Sequence, residues 1–214
     1  ESSVSSKSFI NVDLTFNNDG TVTYKQRVGK NKTTWDSWSA PVTVPASFLA
    51  PNGIIFIAKG NVTMRGVVNG QYTVVTGKQG GDGMGNVYID NSITYKTDPR
   101  TNPASSDMLG IVADEDITVT YNNSRGDIDI HASMYSQNSG LIVENYSSYS
   151  TIRNMRILGG IIGTDAYATA DYSSSTGLPI RGYRFIHKFD KRFLVGAPPK
   201  FPTTTGFEIV SWYE

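Results

Sequence analysis

Two carboxylates stand two residues apart in the stretch RGDIDIHAS, at Asp127 and Asp129. In a β-strand residues i and i+2 share a face, so the pair lies on one side, ~6.6 Å apart along the chain. Carboxylates at such a separation are the equipment of glycoside hydrolysis, one as proton donor and the other as base or nucleophile. That chemistry also needs groups that hold the sugar and tune one carboxyl, and no second constellation is readable nearby. The plainer expectation is an outward polar face with Ile128 and Ile130 turned inward. The chain is expected to be non-catalytic, with a polysaccharide-cleaving enzyme as the third-ranked reading.

The remaining chemical candidates are weaker. Arg125-Gly126-Asp127 spells an adhesion tripeptide, but three residues recur by chance, and a turn accounts for them. His131 and His187 are the only histidines and lie far apart, so a histidine-based metal site has no evident carboxylate partners. The Gly-rich run Gly77 to Asn86 lacks the Lys-Ser/Thr of a phosphate loop. Asp82 within it, and the corner Asp114-Glu115-Asp116, offer oxygen ligands of the kind Ca²⁺ takes, although plain corners explain both. No metal or cofactor is expected. Asn61, Asn122 and Asn145 begin Asn-x-Ser/Thr patterns, which are not expected to carry meaning. Trp35 and Trp38, with the tyrosines of NYSSYS and AYATADY, are suited to stack on sugars or to line subunit interfaces. Trp35 and Trp38 are the candidate ligand-binding residues.

Composition narrows the classes. Positive and negative side chains balance at 19 each, so no basic excess points to nucleic acid. With no cysteine, disulfides, thiolate metal sites and thiol catalysis are excluded. Only 18 % of residues are charged, so the polarity comes from Ser, Thr, Asn and Gly, a composition expected of an extracellular or cell-surface protein. The longest apolar run, Ile54 to Ala58, is too short to span a bilayer. Residue 1 is Glu, read as a processed or trimmed end, with any export signal or anchor expected upstream.

Elements that position these residues read as strands almost throughout. Ile10, Val12, Leu14 and Phe16 alternate with polar residues. Asn18-Asp19-Gly20 then supplies turn chemistry, and Val22 and Tyr24 resume the alternation, which predicts a hairpin. Pro41 and Pro45 argue against a central strand after it. Residues 1–50 are therefore expected to form a separate small β unit containing the tryptophans. Residues 51–214 form the main body.

Within that body short apolar bursts recur at Ile54–Ile57, Val74-Val75, Val87–Ile89, Ile111-Val112, Ile128–Ile130, Leu141–Val143 and Ile157–Ile162. Several precede a second strand across turn formers such as Lys59-Gly60-Asn61, Asp90-Asn91-Ser92 and Asp114-Glu115-Asp116. Repetition of burst, turn and strand predicts a parallel β-solenoid with rungs of ~20 residues, each kept dry by its neighbours. The unequal insertion Lys96 to Asp107 is expected to project from one corner. An antiparallel β-sandwich is the alternative.

The stretch from Gly85 to Val119 resembles the repeated core of an uncharacterised domain of bacterial pilin-like proteins of type IV pilus assembly. The tail from Arg181 to Glu214 is similar to that domain's end, through Phe189-Asp190-Lys191-Arg192, then Pro198, Pro199, Phe201 and Pro202, and a final strand with Trp212. The resemblance spans residues 53–214. It implies a right-handed β-helix, an exterior location and association with a pilus or another surface fibre, and it brings no catalytic residues. The chain departs from that family in its Trp-containing N-terminal unit and in starting without the family's membrane segment.

The end rungs of a solenoid present unpaired backbone groups. The terminal strands, with Ile10, Val12, Leu14 and Phe16 at one end and Phe207, Ile209 and Trp212 at the other, are the candidate assembly residues. They are expected to fold back as caps or to pair with another copy or another pilin-like subunit by strand addition. The expected function is a structural subunit or tip component of a bacterial surface filament. A glycan-gripping adhesin-like module is second.

Overall fold

The computed structural model of the chain describes residues 9–30, 33–81 and 83–202. It is all-β. The hairpin comes first, as β1 (Phe9–Phe16) and β2 (Thr21–Gly29), paired antiparallel. Gly20 closes the turn at φ +87°, a left-handed conformation that a side chain would strain, and the Asp19 carboxylate accepts from the Thr21 N–H. β3 (Val42–Pro45) adds antiparallel to β2, followed by one helical turn, α1 (Ala46–Leu49).

The next nine strands are β4 (Ile54–Ile57), β5 (Gly60–Val68), β6 (Gln71–Thr76), β7 (Val87–Tyr95), β8 (Met108–Ala113), β9 (Ile117–Val119), β10 (Ile128–Ser136), β11 (Leu141–Val143) and β12 (Ile152–Ile162). Every pairing among them is parallel. β13 (Ala170–Tyr172) pairs antiparallel with β14 (Pro179–Lys188), and β14 closes the series in parallel with β12. The result is one curled, mixed sheet of 14 strands. Among the described residues antiparallel strand pairs are confined to its two ends, which is not the pattern of the sandwich alternative.

Parallel register puts like residues on top of one another. Leu14, Met64, Ile89, Val119 and Val143 are matched in sequence along β1, β5, β7, β9 and β11, and all are buried. Ile55, Val74, Ile111, Met134 and Ile161 stack likewise along β4, β6, β8, β10 and β12. Burying each such side chain contributes about 1.5–3 kcal/mol, so the repeated bursts supply one continuous core.

The corners have a polar counterpart. Asn61, Asn86 and Asp116 each precede the first core residue of their repeat. Asn61 Oδ1 accepts from the Asn86 backbone N–H at 2.9 Å, and Asn86 Oδ1 accepts from the Asp116 N–H at 3.2 Å. These bonds satisfy backbone donors that a corner withdraws from the ladder. They also occupy Asn61, which is buried.

Two local readings change. Asp90-Asn91-Ser92 does not separate two strands. It is the middle of the continuous β7, and the register with β5 slips instead, between Met64 and Gly66. Gly66 absorbs that irregularity at φ +112°, where a Cβ would lie 2.1 Å from the Phe16 carbonyl oxygen. β1 has no free edge: β2 takes one side and β5 the other. Leu14 and Phe16 are core, and Ile10 and Val12 pack against it, so the intermolecular pairing expected of these four residues has no open edge to use. Phe207, Ile209 and Trp212 lie outside the described residues.

Candidate functional site

Asp127 and Asp129 do share a face, but Arg156 from the neighbouring strand spans both. Its Nε lies 2.7 Å from Asp129 and its Nη1 2.7 Å from Asp127. Asp127 also accepts from the Asn154 side chain and backbone, and these bonds, with Arg156, hold its pKa down to about 2. A carboxyl held so acidic cannot keep a proton near neutrality for general acid work. The pair is an ionic rung between β10 and β12. Asp13 and Asp90 flank Arg65 in the same manner along β1, β5 and β7.

The adhesion tripeptide is not presented either. Arg125 is buried, and its guanidinium donates to the Asp90 carbonyl at 2.7 Å, the Thr120 carbonyl at 2.6 Å and the Tyr183 hydroxyl at 3.0 Å. Tyr149, from the first tyrosine cluster, stacks edge-on against Tyr121 and Tyr183 and is likewise buried. Tyr167 and Tyr172 are exposed. Trp35 and Trp38 sit together around one cation, with the Arg27 guanidinium 5.1 Å from one ring and 4.6 Å from the other, and Lys25 also over Trp38. Trp35 covers Gly29, and only Trp38 stands well exposed.

The acidic corner is engaged as well. Asp114 accepts from the Lys78 backbone N–H, and Glu115 pairs with the Lys78 ammonium at 2.7 Å. Among the described residues no three acidic or histidine side chains converge as a metal site. Asp82 lies outside them. His187 donates Nε2–H to the Gly159 carbonyl, and His131 is buried on β10, two strands away across β12.

Two features at the β14 end stand out from this paired background. The first is an open edge. β13 covers β14 only from Pro179 to Gly182, so the outer edge of Arg184 to Lys188 has no strand partner among the described residues. Phe185 stands in register with Met155 and His187 with Ile157, both of which are buried. Phe185 and His187 thus extend inward stacks by one step and end them. Phe185 is 44 % exposed and Ile186, on the opposite face, 41 %, so this strand is covered on neither side. Leu178, Ile180, Phe189, Leu194 and Val195 add exposed apolar surface in the same part of the chain.

The second feature is a cleft of about 380 Å³ between the Lys96 to Asp107 insertion and the residues that follow β14. Pro99, Arg100 and Pro103 form one wall, Lys188 to Arg192 the other, and Leu158 also lines it. The insertion is folded back on itself: Asp107 accepts from the backbone N–H groups of Gly70 and Thr97, and Arg100 grips Asp98. Arg192 ties the walls together, pairing with the buried Asp190 at 2.6 Å and donating to the Ser105 carbonyl at 2.9 Å. Neither the cleft nor its cations are foreseeable from spacing, since Arg100 and Lys188 lie far apart in sequence. The available signal is HKFDKR, His187 to Arg192, a concentration of charge in a chain otherwise poor in it.

Among the described residues no helix is long and apolar enough to cross a membrane. Comparison of the chain with known protein families, curated proteins and solved structures finds no match.

Proposed function

We propose that the chain is an extracellular structural subunit, of the kind found in pilin-like surface filaments, that assembles head to tail by β-strand addition. In this reading the parallel ladders are successive coils of a right-handed β-helix, and the unpartnered edge of β14 accepts a strand from the next copy. That edge is the observation that carries the proposal. Backbone groups along it are ready to pair, and the exposed Phe185 and Ile186, on opposite faces, gain burial from a partner.

The opposite end supports a polar, non-closing contact. There the antiparallel hairpin shields the first ladder, and its outermost strand β3 has four residues and ends on Pro45, a device that blunts edges. The donor in this reading is Phe207 to Trp212, in which Phe207, Ile209, Val210 and Trp212 are apolar. After β14 the chain runs back along the sheet. The Pro199 carbonyl accepts from Thr73 on β6, Pro199 packs on Gly53 before β4, and Phe201 packs on Gly110 of β8. The last described contact of the tail, Phe201 on Gly110, is at β8, midway along the parallel strands, and in this reading the segment beyond it is delivered to another copy. A heterologous contact of that geometry extends into a filament.

Analytical ultracentrifugation and electron microscopy across a concentration series test this. The full chain is expected to form linear oligomers, and both truncation after Pro202 and Ile186→Lys to abolish them. The truncated chain is expected to bind a synthetic Phe207–Trp212 peptide. A full chain that stays monomeric at every concentration, with its own tail protecting β14, overturns the proposal.

A further inference from the structure

We infer that the cleft beside β14 is a binding site for acidic saccharides, specifically uronate-containing oligosaccharides. The inference does not depend on strand addition. Its lining carries Arg100, Lys188, Lys191 and Arg192. Asp98 and Asp190 answer two of these four cations, leaving two positive charges. Lys188 and Lys191 are exposed and take part in none of the ion pairs among the described residues. Charges left unpaired and aimed across a concave surface are what a ligand carboxylate needs, and the field is focused by the low-dielectric walls.

Buried groups next to the cleft want an acceptor. His131 is only 4 % exposed, and its Nδ1 accepts the Tyr95 backbone N–H at 3.1 Å. In the neutral ring the proton is then on Nε2, which faces Arg100 Nη2 at 3.4 Å, donor against donor. An anionic oxygen beside Arg100 relieves that opposition by accepting from both. The Tyr95 hydroxyl is also buried without a hydrogen-bond partner, and the Arg192 guanidinium lies over its ring at 5.1 Å.

The rest of the lining fixes the class of ligand. Pro99, Pro103, Phe189 and Leu158 offer apolar surface for the C–H faces of a pyranose ring, which inorganic phosphate cannot use. A volume of about 380 Å³ falls in the range of small-ligand clefts. Net neutrality of the chain disfavours nucleic acid.

Isothermal titration with trigalacturonate, its methyl ester and inorganic phosphate, at low and high salt, decides the matter. Trigalacturonate is expected to bind, with affinity falling at high salt, and the ester and phosphate to bind at least tenfold more weakly. The double variant Lys188→Glu/Lys191→Glu is expected to lose at least tenfold in affinity with an unchanged melting temperature, since both lysines are exposed. Ile186→Ser, which acts on the neighbouring edge without adding charge, is expected to bind as the parent does. Absence of trigalacturonate binding overturns the inference. So does phosphate binding of equal strength, or a double variant that binds normally.

Discussion

Arg125 is the residue whose surroundings most exceed what its sequence context promised. A buried guanidinium that satisfies the Asp90 and Thr120 carbonyls and the Tyr183 hydroxyl joins the middle of β7, the end of β9 and the middle of β14. Removing it takes a charged donor from the Asp90 carbonyl, while the Tyr183 hydroxyl keeps its bond to the Gly126 carbonyl and the Thr120 carbonyl a long one from the Tyr149 hydroxyl, so Arg125→Ala is expected to cost about 2 kcal/mol, read from urea denaturation. Lysine reaches at most one of the acceptors and is expected to restore only a fraction. Stability unaffected by Arg125→Ala would mean the clamp contributes nothing. His131 makes a separate, pH-dependent contribution. Burial lowers its pKa below the ordinary 6.5, and Arg100 lowers it further against the weaker opposing pull of Asp98, Asp129 and Asp190. The folded chain therefore refuses a proton that the unfolded chain accepts. Stability is full above pH 6.5 and declines as pH falls below it, by up to about 1.4 kcal/mol per pH unit. Melting temperatures from pH 7.5 to 5 are expected to show this loss, and His131→Asn, which retains an acceptor for the Tyr95 N–H, to flatten it in that window.

At the scale of elements, what could be read from the sequence was the apolar half of each repeat. Every burst from Ile54 to Ile162 lies on a strand, and the Asn18-Asp19-Gly20 turn closes a hairpin, because period-two burial and turn chemistry are local properties. Pairing is not local. Nothing around Ile10 announces that its strand is matched residue for residue with Gly60 onward, which removes the free edge expected there. The site was less legible than the fold. Asp127 and Asp129 look like a catalytic pair until Arg156, brought alongside by parallel register, neutralises them. The cleft draws one wall from an insertion and the other from the tail, so it exists only once the repeats between them have stacked. Sequence reasoning weighs residues by their neighbours in the chain, whereas here the decisive neighbours are one repeat away.

Across the whole molecule the consequence of stacking is a gradient. In a sheet built by successive strand pairings, a strand with one neighbour opens more readily than a strand with two. β7 and β10 have partners on both sides, whereas β14 beyond Gly182 has β12 alone. Amide hydrogen exchange is expected to be slowest in β7 and β10 and fastest, among the strands, along Arg184 to Lys188. The gradient also distinguishes a fibre subunit from a finished monomer. If β14 accepts a strand, raising the protein concentration slows exchange at Arg184 to Lys188 while β7 and β10 stay as they were, because added pairing reaches only the terminal repeat. Exchange that is slow at β14 already at the lowest concentration, and does not change with it, would mean that the edge is closed from within the same chain.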